Sequence, residues 1–340
     1  MLLTQNNPYI VQKQRNLFCK ISGLALIYLD SWLLIPDAQN MQRRTLIKNL
    51  GGLLLVPALP FNHSVENKKP VLRVAHLTDV HLKDKFDAPA RFARCLHHVQ
   101  QQPNVDMILN GGDIVFDMNK ENLDTINAQW GLWHSTIKSD CSLPIHYILG
   151  NHDIWWNEND KGQALYGKEY AIGQLQLASP YYSFIKNGWK FILLDSVHLD
   201  IDNTWYIGQL GDTQFSWLES ELKSTPAYMP VCVLSHIPLL TATLMVDDQT
   251  AVNKWEVLGG DMHTDISKIV SLFYQHPNVK LCLSGHIHLR DKVVYNNVTY
   301  ICNGAVSGAW WEGNKRETAP GYGLIDFYAD GSFDERYVNY

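Results

Sequence analysis

Six short apolar runs punctuate the chain: 71–77 (VLRVAHL), 106–110 (DMILN), 144–149 (PIHYIL), 189–195 (WKFILLD), 230–235 (PVCVLS) and 279–284 (VKLCLS). Their short, continuous apolar character suits β-strands covered on both faces. Helical periodicity fills the gaps, at 88–102, 121–138, 213–224 and 264–275. Strands alternating with helices predict an α/β fold. The tail has a different pattern, in which VVYNN, VTYIC, YGLIDFY and SFDERYV read as hairpin strands joined by Asn-Asn and Asp-Gly turns. One α/β domain over 71–340, preceded by a polar linker at 61–70, accounts for the pattern.

The polar residues that end these runs say more than the runs themselves. The first is followed by Asp79-Val80-His81, the second by Gly112-Asp113, the third by Gly150-Asn151-His152-Asp153. His236 follows the run at 230–235, and Gly285-His286-Ile287-His288 follows the run at 279–284. Open α/β sheets bind ligands beyond the carboxyl ends of their strands, so residues nearly 200 apart in sequence can converge there. Taken alone, each piece reads as a turn or a capped loop. The ordered set does not.

The set combines carboxylates, imidazoles and one amide, without thiolate. That chemistry suits Mn²⁺, Fe or Zn²⁺ and disfavours a structural zinc knot. Seven ligands are too many for one ion that must keep an open position. Two ions sharing a carboxylate, about 3.5–4 Å apart as in-line phosphoryl displacement requires, fit better. The glycines before Asp113, Asn151 and His286 would let the backbone turn sharply and approach the ions. The six cysteines are spread singly with no C-x-x-C pair, and a net charge of −6 leaves no basic footprint for nucleic acid.

The series DVH, GGD, GNHD, SHIP, GHIH resembles the calcineurin-like metallophosphoesterase superfamily. It looks most like the bacterial branch containing cyclic-nucleotide phosphodiesterases, with the likeness covering about 71–310. The resemblance implies a four-layer α/β/β/α sandwich and two metal ions. One ion would take Asp79, His81, Asp113 and His288; the other would take Asp113, Asn151, His236 and His286, so that Asp113 is shared. His152, with Asn151, would face the phosphate and stabilise charge or protonate the leaving oxygen, and Asp153 would orient the His152 ring. A hydroxide held between the ions would be the nucleophile, so no side-chain nucleophile is needed.

Two departures from relatives narrow the substrate. Serine/threonine protein phosphatases resemble GDxxDRG at the second motif, where this chain has GDIVFDM and no arginine to clamp a monoester. Purple acid phosphatases carry an iron-binding tyrosine three residues after that aspartate, where this chain has Phe116. Both absences favour a small phosphodiester as the partner. The alternatives are a phosphomonoesterase acting on small phosphates and a metal- or phosphate-binding protein without turnover. Trp155-Trp156 and Trp310-Trp311 are candidates to line the cleft, or else pack as corners of the fold. Outside the motifs, His76, His134, His146, His198, His263 and Asp195 are expected to be structural.

The N-terminal region reads as an address. Residues 41–60 carry Arg43-Arg44 before a short, glycine-diluted apolar stretch, with no acid between Arg43 and Glu66. This resembles a bacterial twin-arginine export signal. Met41 stands two residues before the pair, so translation from Met41 is expected, with 1–40 an upstream extension. Periplasmic placement follows, with cytoplasmic placement the alternative. No stable membrane span is expected in the mature protein.

Overall fold

The computed structural model describes residues 68–156, 161–199, 206–246, 250–251 and 254–340. The chain divides into Met1–Val65 and Glu66–Tyr340. The expected export signal at 41–60, the expected extension at 1–40 and most of the expected linker at 61–70 lie outside the described residues.

That unit begins with β1 (Leu72–Leu77), α1 (Ala88–Gln101), β2 (Met107–Asn110), α2 (Leu123–Asp140) and β3 (Ile145–Tyr147). The middle holds α3 (Glu169–Leu175), β4 (Tyr182–Lys186), β5 (Trp189–Leu193), β6 (Val197–Leu199) and β7 (Tyr206–Gly208). Next come α4 (Gly211–Ser224), β8 (Val231–Leu234), β9 (Thr250–Ala251), β10 (Lys254–Trp255) and α5 (Ile266–Gln275). The chain ends with β11 (Val279–Ser284), β12 (Asp291–Tyr295), β13 (Val298–Cys302), β14 (Gly321–Phe327) and β15 (Phe333–Asn339). Each expected strand and helix is present within a few residues of its expected span.

Two sheets carry the fold, in the orders β15-β14-β1-β2-β3 and β12-β13-β11-β8-β5-β4. Their facing sides interlock through Leu72, Val74, Met107 and Leu109 from the first and Phe191, Leu193, Cys232, Leu234 and Leu281 from the second. The outer face of the first sheet packs on α1 and α2 through residues such as Phe92, Leu96, Trp130 and Trp133. The outer face of the second packs on α4 and α5 through Leu218, Leu222, Ile269 and Phe273. This is the α/β/β/α sandwich that the motifs imply. It also explains the missing alternation: a strand between a helix layer and another sheet has no wet face.

Local chemistry fixes the element ends. Asn122 caps α2 by accepting from the Thr125 amide at 2.9 Å. The β12–β13 hairpin turns on Asn296 and Asn297, both left-handed at φ 49° and 64°, as a tight hairpin of this twist requires. The tail hairpins do not form a sheet of their own. β12 and β13 extend the second sheet, while β14 pairs antiparallel with β1 in the first. That pairing is long-range and has no local signature in sequence.

β1, β2 and β3 run parallel, as do β5, β8, β11 and β13. The loops leaving β1, β2, β3, β8 and β11 therefore emerge together, and backbone bonds tie them. The Asp79 amide donates to Gly112 O at 3.0 Å, His81 to Asp113 O at 2.9 Å, and Gly285 to His236 O at 3.1 Å.

Candidate metal centre

The five loops bring their acids and imidazoles into one buried cluster. Asp79, His81 and His288 place donor atoms within 4.8 Å of one another, as do Asp113, His236 and His286. The Asp113 carboxylate lies between the two groups, with Oδ2 3.5 Å from His81 Nε2 and 3.3 Å from His236 Nε2. Asn151 Oδ1 completes the second group, 3.0 Å from His236 Nε2.

Reaching these positions strains the backbone. Asp79, His81, Asp113, His286 and His288 all have positive φ, between 46° and 73°. Side-chain-bearing residues avoid that region, and such outliers persist only where their surroundings over-determine them. Here the crowding is severe. A Cβ on Gly112, itself at φ 90°, would sit 2.6 Å from Gly150 N, and one on Gly285 would sit 2.0 Å from Thr78 Oγ1. Only glycine lets these loops touch.

The hydrogen bonds test whether the cluster suits cations. Carbonyl oxygens only accept, so an imidazole nitrogen beside one carries the proton. His81 Nδ1 faces Phe116 O at 3.3 Å, His236 Nδ1 faces Gly111 O at 2.7 Å and His288 Nδ1 faces Gly308 O at 2.7 Å. His286 uses Nε2, 3.0 Å from Gly260 O. His81, His286 and His288 are thereby fixed as tautomers that turn a lone pair inward, as metal-binding histidines are, while His236 turns its Nε2 toward Asp113 and Asn151. The lone pairs of His81 Nε2 and His288 Nε2 then face each other across 3.1 Å. Two acceptors at that distance need a cation or a shared proton between them. The donor set fits divalent metal ions.

Electrostatics agree. Burial alone would raise the Asp79 and Asp113 carboxyls, but the neighbouring imidazoles hold both well below the usual range. Burial pushes the His81 imidazole well down and takes His286 to about 3, so both are neutral at pH 7. Burial also works against charge on His236, yet the Asp113 carboxylate beside it prevails and raises it to about 9.

His152 and Asp153 diverge from the expected pairing. The Asp153 carboxylate does not orient the His152 ring. Its Oδ1 accepts from the Ile114 and Val115 amides at 2.8 and 3.2 Å, and its Oδ2 from the Gly150 amide at 2.9 Å. Asp153 therefore clamps the loop of Asp113 to its own, and three amide donors consume its oxygens. The acid facing His152 is Asp117, with Oδ1 3.2 Å from His152 Nδ1, at ion-pair distance but off the line of a straight hydrogen bond. Burial disfavours a charged His152, but Asp113 and then Asp117 outweigh it and raise its pKa. Sequence reasoning missed Asp117, although a second carboxylate four residues after Asp113 was the available signal.

The tryptophan pairs each split. Trp155 is buried and donates Nε1–H to Glu121 O at 3.2 Å, and Trp156 packs beside Ile154, Val197 and Ile237. Trp311 is buried and donates Nε1–H to His81 O at 3.0 Å. Trp310 alone reaches the site, its ring centroid 3.8 Å from that of His81. With Tyr206, Asp261 and Lys315 it lines a cavity of about 210 Å³ whose floor is Asp113, Asn151, His152, His286 and His288.

Asp195 and three of the histidines outside the motifs have structural partners. His263 spans Ser235 Oγ at 3.2 Å and Asp265 Oδ1 at 3.0 Å beneath the His236 loop. Asp195 pairs with Lys168 at 2.5 Å, and His146 stacks on Phe184. His76 is buried against the Asn303 amide.

Fold and site together define a hydrolase of the metal-dependent phosphoesterase type, its donors borne on loops at one end of a two-sheet sandwich. The sequence profile of the calcineurin-like phosphoesterase family matches residues 72–290, and the chain belongs to that family. It is 27% identical over 281 residues to a 3′,5′-cyclic-nucleotide phosphodiesterase of Nostoc sp., covering 78% of this chain and 92% of that one. It is 24% identical over 273 residues to the 3′,5′-cyclic adenosine monophosphate phosphodiesterase CpdA of Escherichia coli, covering 77% and 87%. Among solved structures, a dimetal phosphatase from Danio rerio superposes with a TM-score of 0.57 at 15% identity, over 79% of this chain and 96% of that one, and shares the fold.

Proposed function

We propose that the chain hydrolyses phosphodiesters at a centre of two metal ions. The observation that carries this reading is the inward-facing array of carboxylates and imidazoles around Asp113, with His81 Nε2 and His288 Nε2 3.1 Å apart. The named activities of the Nostoc and Escherichia coli relatives support the diester preference. Asp79, His81 and His288 would hold one ion and Asn151, His236 and His286 the other, with Asp113 serving both. When bound, the ions would acidify a water and neutralise phosphate charge. Asn151 and His152 then position the phosphate, and His152, whose charged form Asp113 and Asp117 favour, delivers a proton from Nε2 to the leaving oxygen. Asp153 keeps the Asp113 and Asn151 loops in register through its three amide bonds.

The test compares bis-p-nitrophenyl phosphate with p-nitrophenyl phosphate after chelation and re-addition of Mn²⁺, Fe²⁺ or Zn²⁺. Metal-restored activity favouring the diester is expected. Strong monoester preference overturns the substrate class, and activity surviving chelation overturns the mechanism.

Export is the second part of the proposal, supported by Arg43-Arg44 and the acid-free stretch behind them. Among the described residues no helix is long and apolar enough to cross a membrane. Replacing both arginines by lysine should keep the protein in the cytoplasm on fractionation; unchanged periplasmic recovery would refute a twin-arginine route.

A further inference from the structure

Trp310 is held in place with unusual firmness for a residue outside the donor loops. Its segment, between β13 and β14, is fastened to the loop of Asp79 and His81 at three points. Val306 N donates to Thr78 O at 2.9 Å, Ser307 Oγ to Asp79 O at 2.7 Å, and Trp311 Nε1 to His81 O at 3.0 Å. Trp310 and Trp311 both sit at positive φ, 56° and 75°, which is rare for bulky side chains and typical of strain retained at functional sites. Trp311 spends its ring on the core. Trp310 lies over His81 on one side, meets His152 edge-on at 4.9 Å and is backed by Phe116 at 5.4 Å.

Its counterpart is Tyr206, whose ring is 6.0 Å from that of His286. The donors are thus flanked by one aromatic wall per half: indole beside His81 and His288, phenol beside His286. The cavity between holds about 210 Å³, short of the roughly 300–1,000 Å³ that encloses a drug-sized ligand. It accommodates a phosphate and leaves the ester arms to run along the walls.

We propose that Trp310 is a specificity-determining residue that packs against a planar, uncharged arm of the substrate, a nucleobase or an aryl group. The proposal rests on the phosphodiester reading above, and names the arm that reading leaves open. Indole presents a large rigid surface at little entropic cost and accepts any flat ring, which is how aromatic residues bind bases without reading their edges.

The test uses two diesters with the same leaving group, thymidine 5′-p-nitrophenyl phosphate and ethyl p-nitrophenyl phosphate, on the metal-loaded enzyme. The wild type should prefer the thymidine ester by kcat/KM. Trp310→Leu should cut that preference by about tenfold, mainly through KM, and Trp310→Phe should retain most of it. Metal content is measured alongside. Equal slowing of both esters, or a fall in bound metal that tracks the loss, makes Trp310 a mere support for His81 and overturns the proposal. If the wild type cleaves neither diester but does cleave p-nitrophenyl phosphate, the diester reading is what has failed. Inhibition by phenyl phosphate against ethyl phosphate then reads the same Trp310 preference independently, and an unchanged ratio in Trp310→Leu overturns it.

Discussion

The two halves of the centre use the same donor chemistry under different protection. Asp79, His81 and His288 are buried beneath Trp310 and the β13–β14 segment, which itself fixes the His288 ring through Gly308. His286, in the other half, is only partly buried, borders Tyr206 and Asp261 in the cavity, and is fixed by Gly260, in the stretch before α5. Each half thus has one ring held by a segment that contributes no donor, His288 by the β13–β14 segment and His286 by the stretch before α5. The difference lies at His286, the least buried donor of the two groups.

The largest predicted effect falls on the residue shared by both halves. Asp113→Ala should abolish binding of both ions and lower activity by more than about a thousandfold. His288→Ala and His286→Ala should each reduce metal stoichiometry from two to one, with the greater loss of thermal stability in His288→Ala. Metal analysis with thermal melting decides; equal melting losses would erase the distinction between closed and open halves.

Next in size are the residues that act on substrate without holding metal. His152→Ala should slow turnover about a hundredfold at full metal content, within the range for a lost general acid. Asp117→Asn should cost about tenfold and displace the basic limb of the pH–rate profile to lower pH, because the carboxylate raises the His152 pKa. Asp153→Asn removes a weaker charge effect on His152 and should move that limb less than Asp117→Asn does. A shift in Asp153→Asn and none in Asp117→Asn would restore the expected pairing.

The last effect concerns stability under both halves and leaves the chemistry alone. His76 lies below the centre, and burial pushes its pKa down to about 4. Because the folded value is below the unfolded one, its contribution is complete above about pH 6.5 and is lost as pH falls through about 4, roughly 3 kcal/mol in all. Urea unfolding between pH 7 and 4 measures it, and His76→Gln should flatten the slope. An unaltered slope would move the acid sensitivity onto the donors.

Most of the donor set was legible because each donor follows an apolar run at a strand's carboxyl end, and glycine precedes three of the turns. What was not legible depends on through-space partners. Asp117 and Asp153 lie four residues and one residue from a motif aspartate or histidine, and spacing alone favours the wrong one. Trp155 and Trp310 look alike in sequence and differ only in whether the chain turns them against Tyr170 of α3 or over His81. Likewise β14 carries no mark that it will pair with β1 rather than close a separate tail sheet.

The left-handed backbone at five of the donors has an evolutionary corollary. At each such position glycine would relax a conformation that a side chain resists, by about 1 kcal/mol. Drift toward a sturdier fold and drift toward a dead enzyme therefore run in the same direction here. Histidines and aspartates standing where the backbone would rather have glycine are the trace of selection for turnover.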